Sequence, residues 1–502
     1  MAEAKVRFGS PVATSRTQLP QILKKFLVHF RRPSDYDGTY GFDWLRDEYI
    51  HPIKSVILDH SGNTINAALN LCENTNLLKT KYKKLVAHNN DYYGSWLTMF
   101  PNTIEANTTH SASIQTNGID LDIDIETLET LISDDTEIIF ENENPFLKIT
   151  PEKLMLKNLI TGTITNKSLG GTNIKKYYSN SKKINIKSDG GVFENDEEIK
   201  VFAKLDSQKV EVGKLMVCKN NDYNDYTTEI YVIKSYLRDD PNFSKTIIDT
   251  ELAKIGGIQG LEDYLNQKSM NQSLIKVKLI YDQSKDWVFR KQSLINASNQ
   301  PKYNGMIQNQ STMLMSTGRY MDYINDRFKL MYPNLVNKNA VFLYITPFTS
   351  PTAGGASYNA PLDSKHIIIF KNNIDHLPSY AHEIGHNFGL EHSFEDDPTL
   401  TNAILLANAQ ADLAQDEATK ISTLTNNRAF YNANPERRRE DTKILDNNIQ
   451  YRRDNIIVLN NNLLRFSKKA TENIMDYDLS NQKVFFKWQS DIMKPEVKTY
   501  YH

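Results

Sequence analysis

The apolar residues of this chain change their spacing along the sequence, and each change predicts a different structure. From about residue 119 to residue 219, short runs rich in Ile, Val, Thr and Phe alternate with turn signals such as Ser-Leu-Gly-Gly-Thr. Runs of this length between glycine-containing turns are typical of antiparallel β-structure. The predicted strands are Thr136–Phe140, Phe146–Ile149, Leu159–Thr165, Lys183–Lys187, Glu198–Lys204 and Gly213–Val217. We therefore expect a β-sandwich domain at residues 118–220.

From about residue 221 the pattern becomes an alternation of strands and helices. Helical spacing is predicted for Phe243–Gln267, with a break at Gly256-Gly257, and for Ser311–Tyr332. The predicted strands are Thr228–Lys234, Leu274–Tyr281, Ala340–Ile345 and His366–Phe370. This alternation favours an α/β layer at residues 221–502, with the helix that follows the last strand packed beneath the sheet.

Residues 1–117 form a third predicted unit, which begins with a polar tail. Its most distinctive stretch is the aromatic cluster Tyr36-Asp-Gly-Thr-Tyr-Gly-Phe-Asp-Trp-Leu-Arg46. Glycines between aromatic residues predict a tightly packed turn. The expected fold class is therefore multidomain α+β, with an N-terminal aromatic-rich domain, an immunoglobulin-like β-sandwich and a C-terminal α/β domain.

Composition narrows the class of protein. A chain of 502 residues is long enough for two to four domains, and its apolar content of 39% suits a globular protein. The net charge of −2 provides no overall field for nucleic acid or for a membrane surface. No apolar run approaches the ~20 residues that a membrane-spanning helix needs. We expect neither a nucleic-acid partner nor a membrane span.

The cysteines and the N-terminus bear on localisation. Cys72 and Cys218 lie far apart in the sequence, which argues against a disulfide framework and favours two buried free thiols. The first thirty residues lack the apolar core and small-residue cleavage site of a secretory signal. We expect a chain made in the cytoplasm, which, if exported, leaves by a route that needs no such signal.

The strongest chemical signal is the stretch AHEIGHNFGLEHS at Ala381–Ser393. On a helix, His382 and His386 lie one turn apart on the same face and can bind one zinc ion. Glu383 is then placed to accept a proton rather than to bind the metal. A turn at Gly389 would bring His392 round as a third ligand. Three protein ligands leave one coordination position open, as in catalytic zinc sites.

The arrangement His382-Glu383-x-x-His386-x-x-Gly389-x-x-His392 resembles the metzincin clan of zinc endopeptidases, over roughly residues 221–502. The resemblance implies a Zn²⁺ cofactor, a metal-held water activated by Glu383, and a downstream Met-turn. Asn473-Ile474-Met475-Asp476-Tyr477 fits that turn, with Met475 beneath the metal.

Two positions point to different branches of the clan. Tyr477 lies where astacin-like and serralysin-like enzymes have a Tyr that reaches the zinc or the developing oxyanion. Ser393, directly after the third ligand, resembles the matrix-metalloprotease branch, which lacks that Tyr. A packed Tyr without a catalytic role is the alternative for Tyr477. The sequence therefore assigns no branch.

A long insertion separates the third histidine from the Met-turn, at about residues 396–470. Leu400–Thr423 and Asp441–Phe466 are predicted helices, and Val484–Met493 is predicted as a closing helix. The basic runs Arg437-Arg438-Arg439 and Arg452-Arg453 are each either a solvated face or a patch for a substrate or partner. We expect the insertion to lie beside the cleft and to select substrates. Thr352–Asn359 is predicted as either a substrate-binding edge strand or a plain glycine-rich loop.

These observations favour a zinc endopeptidase acting on protein or peptide substrates. About the first hundred residues, which include the aromatic cluster, also resemble the opening of bacterial proteins that travel with contractile, type VI-like secretion machinery. That resemblance implies a secreted effector, with a machinery component or an immunity protein as partner. The alternatives are a secretion-apparatus binding protein with a silent protease domain, and a zinc amidase acting on cell-wall peptide.

Overall fold

The fold is a mixed α/β arrangement with several sheets. A computed structural model describes residues 22–58, 64–102, 112–170, 173–335, 337–358, 360, 362–394, 401–478 and 480–502. The predicted polar tail before residue 22, the start of the insertion at residues 396–400 and Asn359 lie outside these ranges. Within them, no helix is both long enough and apolar enough to cross a membrane.

The described part of residues 22–217 is built mainly from strands. The strands are β1 (Phe26–Arg31), β2 (Gly41–Asp43), β3 (Ile53–Leu58), β4 (Thr64–Leu69), β5 (Lys84–Ala87), β6 (Asn90–Tyr93), β7 (Ser95–Thr98), β8 (Ile119–Thr127), β9 (Glu137–Glu141), β10 (Leu147–Thr150), β11 (Lys153–Met155), β12 (Thr165–Ser168), β13 (Ile174–Ser188), β14 (Glu197–Leu205) and β15 (Gln208–Val217). Within those described residues, the helices are α1 (Asp47–Ile50), α2 (Thr75–Thr80), α3 (Ala112–Asn117) and α4 (Leu156–Leu159).

Two larger sheets take strands from both sides of the boundary predicted at residue 117. One has the order β1-β8-β13-β10, with β12 paired to β13. The other has the order β11-β9-β14-β15-β7-β2. Because β1 pairs with β8 and β7 pairs with β15, the N-terminal strands complete the sheets of residues 118–220. The predicted division between residues 1–117 and 118–220 therefore does not separate two sheets.

The two sheets pack on one another through β1 and its neighbours. The rings of Phe30 and Phe140 lie 6.1 Å apart in an edge-to-face contact. The Tyr92 hydroxyl donates to the carbonyl oxygens of Val28 at 2.8 Å and Lys214 at 3.2 Å, one in each sheet. A Cβ at Gly213 would lie 2.3 Å from the Val28 carbonyl oxygen, so glycine permits this close approach. The sheets thus share one core.

One predicted strand in this region is wrong. In place of a strand at residues 159–165, the chain forms α4 and then β12. Leu156 and Leu159 are both buried, at 0% and 2% exposed. Their spacing of three residues puts both on one face of a helical turn, so helix lets both reach the core.

The second half of the chain contains an α/β layer. Its strands are β16 (Thr227–Leu237), β17 (Lys276–Tyr281), β18 (Trp287–Phe289), β19 (Ile307–Asn309), β20 (Leu314–Met315), β21 (Val341–Ile345), β22 (Gly355–Ser357) and β23 (His366–Ile369). Its helices are α5 (Lys245–Ala253), α6 (Gly257–Lys268), α7 (Lys291–Ser298), α8 (Thr317–Met331) and α9 (Leu377–Asn387).

The main sheet of this layer has the order β17-β16-β21-β23-β22. All neighbours pair in parallel except β22, which pairs antiparallel to β23 at the edge. Alternate residues of β21 face opposite sides, as strand geometry requires. Leu343 belongs to the core that includes Ile384 of α9, and Tyr344 to the core that includes Tyr320 of α8. The sheet is therefore covered by α9 on one face and α8 on the other.

The insertion is a helical hairpin. Its helices are α10 (Asn402–Asn426), α11 (Arg428–Ala433) and α12 (Pro435–Asn461), and the chain then closes with α13 (Lys487–Glu496). Arg452 pairs with Asp412 at 2.9 Å and Asp416 at 3.1 Å across the hairpin. Arg453 pairs with Glu417 at 2.8 Å. The basic run of α12 thus joins the two long helices.

Candidate metal centre

Helix α9 carries the first half of the site. It begins at Leu377, and Pro378 occupies the first turn, where a missing N–H costs no hydrogen bond. The Tyr380 hydroxyl donates to the Ile374 carbonyl oxygen at 2.8 Å and ties the helix start to the preceding segment. Every residue from Ser379 to Asn387 is buried. The helix is therefore held rigidly beneath the sheet, which suits a site that needs fixed geometry.

The helix ends as the motif predicts. Gly389 has a φ of +83°, in the left-handed region that favours glycine. The Leu390 N–H donates to the Gly385 carbonyl and the Gly389 N–H to the His386 carbonyl, both at 3.0 Å. These two bonds form a Schellman motif. The chain then reverses direction and brings His392 back towards the helix.

Backbone carbonyls orient the two histidines of the helix. Nδ1 of His382 lies 2.8 Å from the Ile474 carbonyl oxygen, and Nδ1 of His386 lies 2.7 Å from that of Leu390. Each carbonyl fixes the proton on Nδ1 and leaves the lone pair on Nε2. The two Nε2 atoms are 3.2 Å apart. Two ligands of a tetrahedral zinc at 2.0–2.1 Å would be separated by about 3.3 Å, so this spacing fits the metal.

The third histidine completes the donor set. One ligand atom from each of His382, His386 and His392 can be chosen so that all three lie within 4.8 Å of one another. Burial lowers the pKa of His382 to about 3 and that of His386 to about 4. Burial, followed by the other two imidazoles, also lowers the pKa of His392. Neutral imidazole is the form that binds zinc, so the chemistry of the three residues fits the metal.

Glu383 lies beside the triad at the sheet edge. Its residue is 8% exposed, and burial raises the pKa of its carboxyl to about 8. A Cβ at Gly355 would lie 2.7 Å from Oε1 of Glu383, so β22 passes directly over the carboxylate. Of the two interpretations of residues 352–359, the structure shows an edge strand at Gly355–Ser357.

His392 is held by contacts that reach the end of the insertion. The Arg465 guanidinium donates from Nη1 to the carbonyl oxygens of His392 at 3.0 Å and Phe394 at 3.2 Å. The Phe466 N–H donates to the Ser393 carbonyl oxygen at 2.8 Å. The Phe394 ring stacks on the His392 imidazole, with centroids 4.9 Å apart. The third ligand therefore depends on residues beyond the hairpin.

The predicted Met-turn is an extensively hydrogen-bonded loop. The Asp476 carboxylate accepts from the N–H groups of Lys469, Thr471 and Tyr477 at 2.7–2.9 Å. The Asn473 side chain accepts from the Met475 N–H at 2.9 Å. Residues Asn473 to Asp476 are fully buried. The Ile474 carbonyl that orients His382 belongs to this turn, so the turn helps to fix a ligand.

Met475 lies against the zinc helix. A Cβ at Gly385 would lie 2.7 Å from the Met475 Sδ, which shows how closely the sulfur approaches the helix backbone. The Met475 carbonyl oxygen accepts from the Ser393 N–H at 3.2 Å. The turn thus contacts both the helix and the third-ligand loop.

Tyr477 lies at the accessible side of the centre. Its hydroxyl is 3.0 Å from Nε2 of His392, and its residue is 37% exposed. The structure therefore brings together all the site residues that were predicted from the zinc motif and from the Met-turn. Their catalytic roles stay predictions.

Several supporting residues were not predicted. Arg465 and Gln489 carry no motif of their own, and they reach the site only after folding. The Gln489 amide exchanges hydrogen bonds with the Asn473 side chain at 2.6 and 3.0 Å. Asp476 lies within the quoted Met-turn stretch, and its burial could have been suspected from a carboxylate in an otherwise apolar turn.

A cavity of about 380 Å³ opens beside the third ligand. The hairpin supplies part of its wall, as the sequence predicted for a segment beside the cleft. The lining residues are Glu391, His392, Phe394, Leu405, Asn408, Ala409, Asp412, Asn455, Leu459 and Arg465.

Comparison with known proteins gives one informative match. No curated protein matches the chain in sequence. Among solved structures, a chain from a chaperone–substrate complex is similar at 12% identity and a TM-score of 0.21. The match covers 43% of this chain and 29% of that chain, so this chain spans under a third of its length. A likeness at that TM-score carries no argument about fold or function.

Residues 253–425 match the matrixin family of peptidases. The matched range contains the three histidines and Glu383, whereas Met475 and Tyr477 lie beyond it. Matrixins are a metzincin family, and they are zinc-dependent. The predicted metzincin resemblance is therefore confirmed by the match of residues 253–425 to the matrixin family, and zinc is the cofactor that the histidine triad could hold.

Proposed function

We propose that this chain is a zinc-dependent endopeptidase that cleaves peptide bonds within protein substrates. The matrixin match supports zinc peptidase activity in general. The observation that carries the proposal is the convergence of three neutral imidazoles beside a buried carboxylate at an open sheet edge. Such a site combines metal ligands, a proton acceptor and access for an extended chain.

The roles of the residues follow from their positions. His382, His386 and His392 hold Zn²⁺, which when bound polarises the scissile carbonyl and lowers the pKa of a water. Glu383 accepts the proton of the attacking water and passes it to the leaving amine. The Tyr477 hydroxyl donates a hydrogen bond to the oxyanion as its charge develops.

The edge strand β22 supports an extended peptide as the substrate. Among the described residues it pairs with β23 alone, so its other edge can form main-chain hydrogen bonds with a substrate strand. Gly355 lies next to Glu383, so a peptide added there would pass the proton acceptor. Main-chain recognition of this kind suits an endopeptidase, since it does not need a chain terminus.

Replacement of the proton acceptor tests the mechanism. We expect Glu383→Ala to retain zinc and to lose casein cleavage, by about 100-fold or more, because a positioned acid–base group contributes about 10²–10⁴-fold. Zinc content is measured by metal analysis, and cleavage by release of labelled peptides with and without a chelator.

Glu251→Ala on α5 is a suitable control, because that side chain pairs with Lys254 on the surface. It should cleave casein at the wild-type rate. A fully active Glu383→Ala enzyme would show that the proposed mechanism is wrong. Activity on purified cell wall but not on casein would instead favour the amidase alternative, and zinc binding without either activity would favour a silent binding protein.

We also propose that the hairpin selects substrates. The cavity beside His392 is walled by Leu405 and Leu459 of the hairpin. A larger side chain at Leu405 would reduce the space for a substrate residue there. We expect Leu405→Trp to change which casein sites are cleaved, as read by mass spectrometry, with zinc content unchanged.

Ile421→Trp is the matched control, because Ile421 lies on the same helix and is 68% exposed. It should leave the cleavage sites unchanged. If Leu405→Trp and deletion of residues 402–461 both kept the wild-type sites and rates, substrate selection by the hairpin would be wrong. The effector role and the export route stay predictions from the resemblance of about the first hundred residues.

A further inference from the structure

Three backbone segments join the N-terminal half of the chain to the loop that carries the third ligand, His392. The segment 71–73 pairs antiparallel with the segment 465–467, through a bridge between Cys72 and Phe466. The Glu73 N–H donates to the Arg465 carbonyl oxygen, and the Ser467 N–H to that of Leu71, both at 2.9 Å. Residues 465–467 therefore lie between the N-terminal half and the loop that carries His392.

The middle segment, residues 465–467, also contacts the loop that carries His392, on the side opposite to the N-terminal half. Phe466 is bridged in parallel to Phe394, two residues after His392. Arg465, whose backbone bonds to Glu73, also donates through its side chain to the His392 carbonyl oxygen. A shift of the segment 465–467 would therefore move the third ligand.

A buried ion cluster makes a second attachment close to the Met-turn. Glu472 accepts from Nη2 of Arg32 at 2.6 Å and forms a short ion pair with Arg46. The side chains of Arg46 and Glu472 are 5% and 17% exposed. Asn473, the first residue of the Met-turn, follows Glu472 directly. Both arginines come from the N-terminal half, so the turn is anchored outside the matrixin segment.

The surroundings leave Arg46 little freedom to move. Its guanidinium lies 3.9 Å from the centroid of the Trp44 ring and donates to the Asp43 carboxylate at 3.2 Å. Asp43 in turn accepts from the Lys487 N–H at the start of α13 at 3.0 Å. A buried, multiply bonded arginine of this kind fixes the position of the carboxylate that it binds.

We propose that Glu472 is a positioning residue of the metal centre: through Arg32 and Arg46 it fixes the Met-turn and the third-ligand loop on the N-terminal half. Residues 22–220 are then an integral support of the zinc site and not a detachable cover or spacer. Glu472 acts through the Ile474 carbonyl, which orients His382, and through the segment 465–472, which holds His392.

This inference deepens the proposed function and rests on the same site. The experiment that tests the role of Glu472 measures zinc affinity and ligand geometry. The proposed role of Glu472 can therefore be wrong even if the chain is a peptidase. Conversely, an enzyme without peptidase activity would still show the effect on zinc binding.

The test compares zinc affinity by competition with a chromophoric chelator in the full chain. We expect Glu472→Ala to weaken zinc binding by about 10-fold or more, since loss of an outer-shell partner costs about 10–100-fold. The Co²⁺-substituted variant should also show an altered absorption spectrum, because the ligand geometry changes. If Glu472→Ala fails to fold, Glu472→Gln serves, since its amide oxygen keeps one acceptor, and a smaller loss of zinc affinity is expected.

Glu198→Ala is the matched control, because Glu198 pairs with the buried Lys214 at 2.6 Å within the N-terminal sheets. Their side chains are 27% and 9% exposed, close to the values for Glu472 and Arg46. The control should lower the thermal midpoint but keep the wild-type zinc affinity and Co²⁺ spectrum. Wild-type zinc binding in the Glu472 variants, or an equal loss in Glu198→Ala, would overturn the proposal.

Discussion

At the scale of single residues, the site depends on hydrogen bonds that fix nitrogen and oxygen atoms in place. The imidazoles of His382 and His386 each have Nδ1 on a backbone carbonyl, so Nε2 is free for the metal. Tyr477 differs, because its hydroxyl contacts Nε2 of His392, one of the two ring nitrogens through which His392 could bind the metal. That contact places the phenol where a developing oxyanion would need a donor.

Tyr477→Phe tests this role. Removal of the hydroxyl should lower kcat by about 100-fold, as loss of one oxyanion donor does, with little change in KM or zinc content. Steady-state kinetics on a fluorogenic peptide provides the measurement. Tyr451→Phe, at a position 43% exposed on the hairpin, should behave as wild type. A variant at Tyr477 with the wild-type kcat would leave this residue as a packed Tyr without a catalytic role.

The metal-site residues could be predicted because their chemistry depends on local spacing. His382, Glu383, His386 and His392 are close in sequence, and helix geometry plus one turn at Gly389 places them. Their supports could not be predicted in this way. Arg465 and Glu472 have no motif. The side chain of Arg465 bonds to residues 71 and 73 positions away, and that of Glu472 to residues 426 and 440 positions away.

At the scale of elements, the zinc helix and the Met-turn pack so closely that a glycine is required between them. Gly385→Ala would place a Cβ 2.7 Å from the Met475 Sδ and 3.4 Å from a Leu390 methyl carbon. Alanine favours a helix by about 1 kcal/mol over glycine, but overpacking costs about 1–3 kcal/mol. We expect a net loss of stability and weaker zinc binding, measured by thermal unfolding and chelator competition.

Two further variants separate packing from helix propensity. Gly318→Ala on α8 meets no atom within 4 Å, so it should be neutral or stabilising. In the double variant Gly385→Ala/Met475→Ala the space left by the sulfur should relieve part of the clash, giving a favourable coupling energy. Additive effects of the two substitutions would contradict the close contact.

Helices and strands whose apolar residues recur at a regular spacing were predicted well, and segments without a regular spacing were not. Helix α8 and strand β21 follow their apolar spacing, and the break between α5 and α6 falls at Gly256-Gly257. The strand predicted at residues 159–165 is wrong, because a single helical turn at Leu156–Leu159 buries both leucines in the core. The pairing of β1 with β8 could not be read from the sequence, since pairing partners leave no local signal.

At the scale of the whole molecule, the halves are joined by a titratable ion cluster. Burial alone would raise the pKa of Glu472, but the guanidiniums of Arg46 and Arg32 outweigh it and lower the pKa to about 2. A carboxyl with a depressed pKa stabilises the fold above its ordinary value of 4.5. That stabilisation is lost as the pH falls from about 4.5 towards about 2.

Urea unfolding as a function of pH checks this linkage. Between pH 7 and pH 4.5 the wild type should be more stable than Glu472→Gln by up to about 3 kcal/mol, since each pKa unit corresponds to about 1.4 kcal/mol. The difference should shrink as the pH falls below about 4.5. Glu440→Gln, which removes an exposed pair with Arg437, should change little at any pH. A constant difference across the acid range would contradict the linkage.

The ion pair between Arg46 and Glu472 also sets the order in which the centre can form during synthesis. The two residues are 426 positions apart, so the contact can form only after Glu472 has left the ribosome. Contacts of such long separation form late in folding, because closing the loop must precede any gain from the contact. A truncated or nascent chain lacks this support even after its histidines have been translated. The supported zinc site can therefore form only in chains that have been synthesised beyond Glu472.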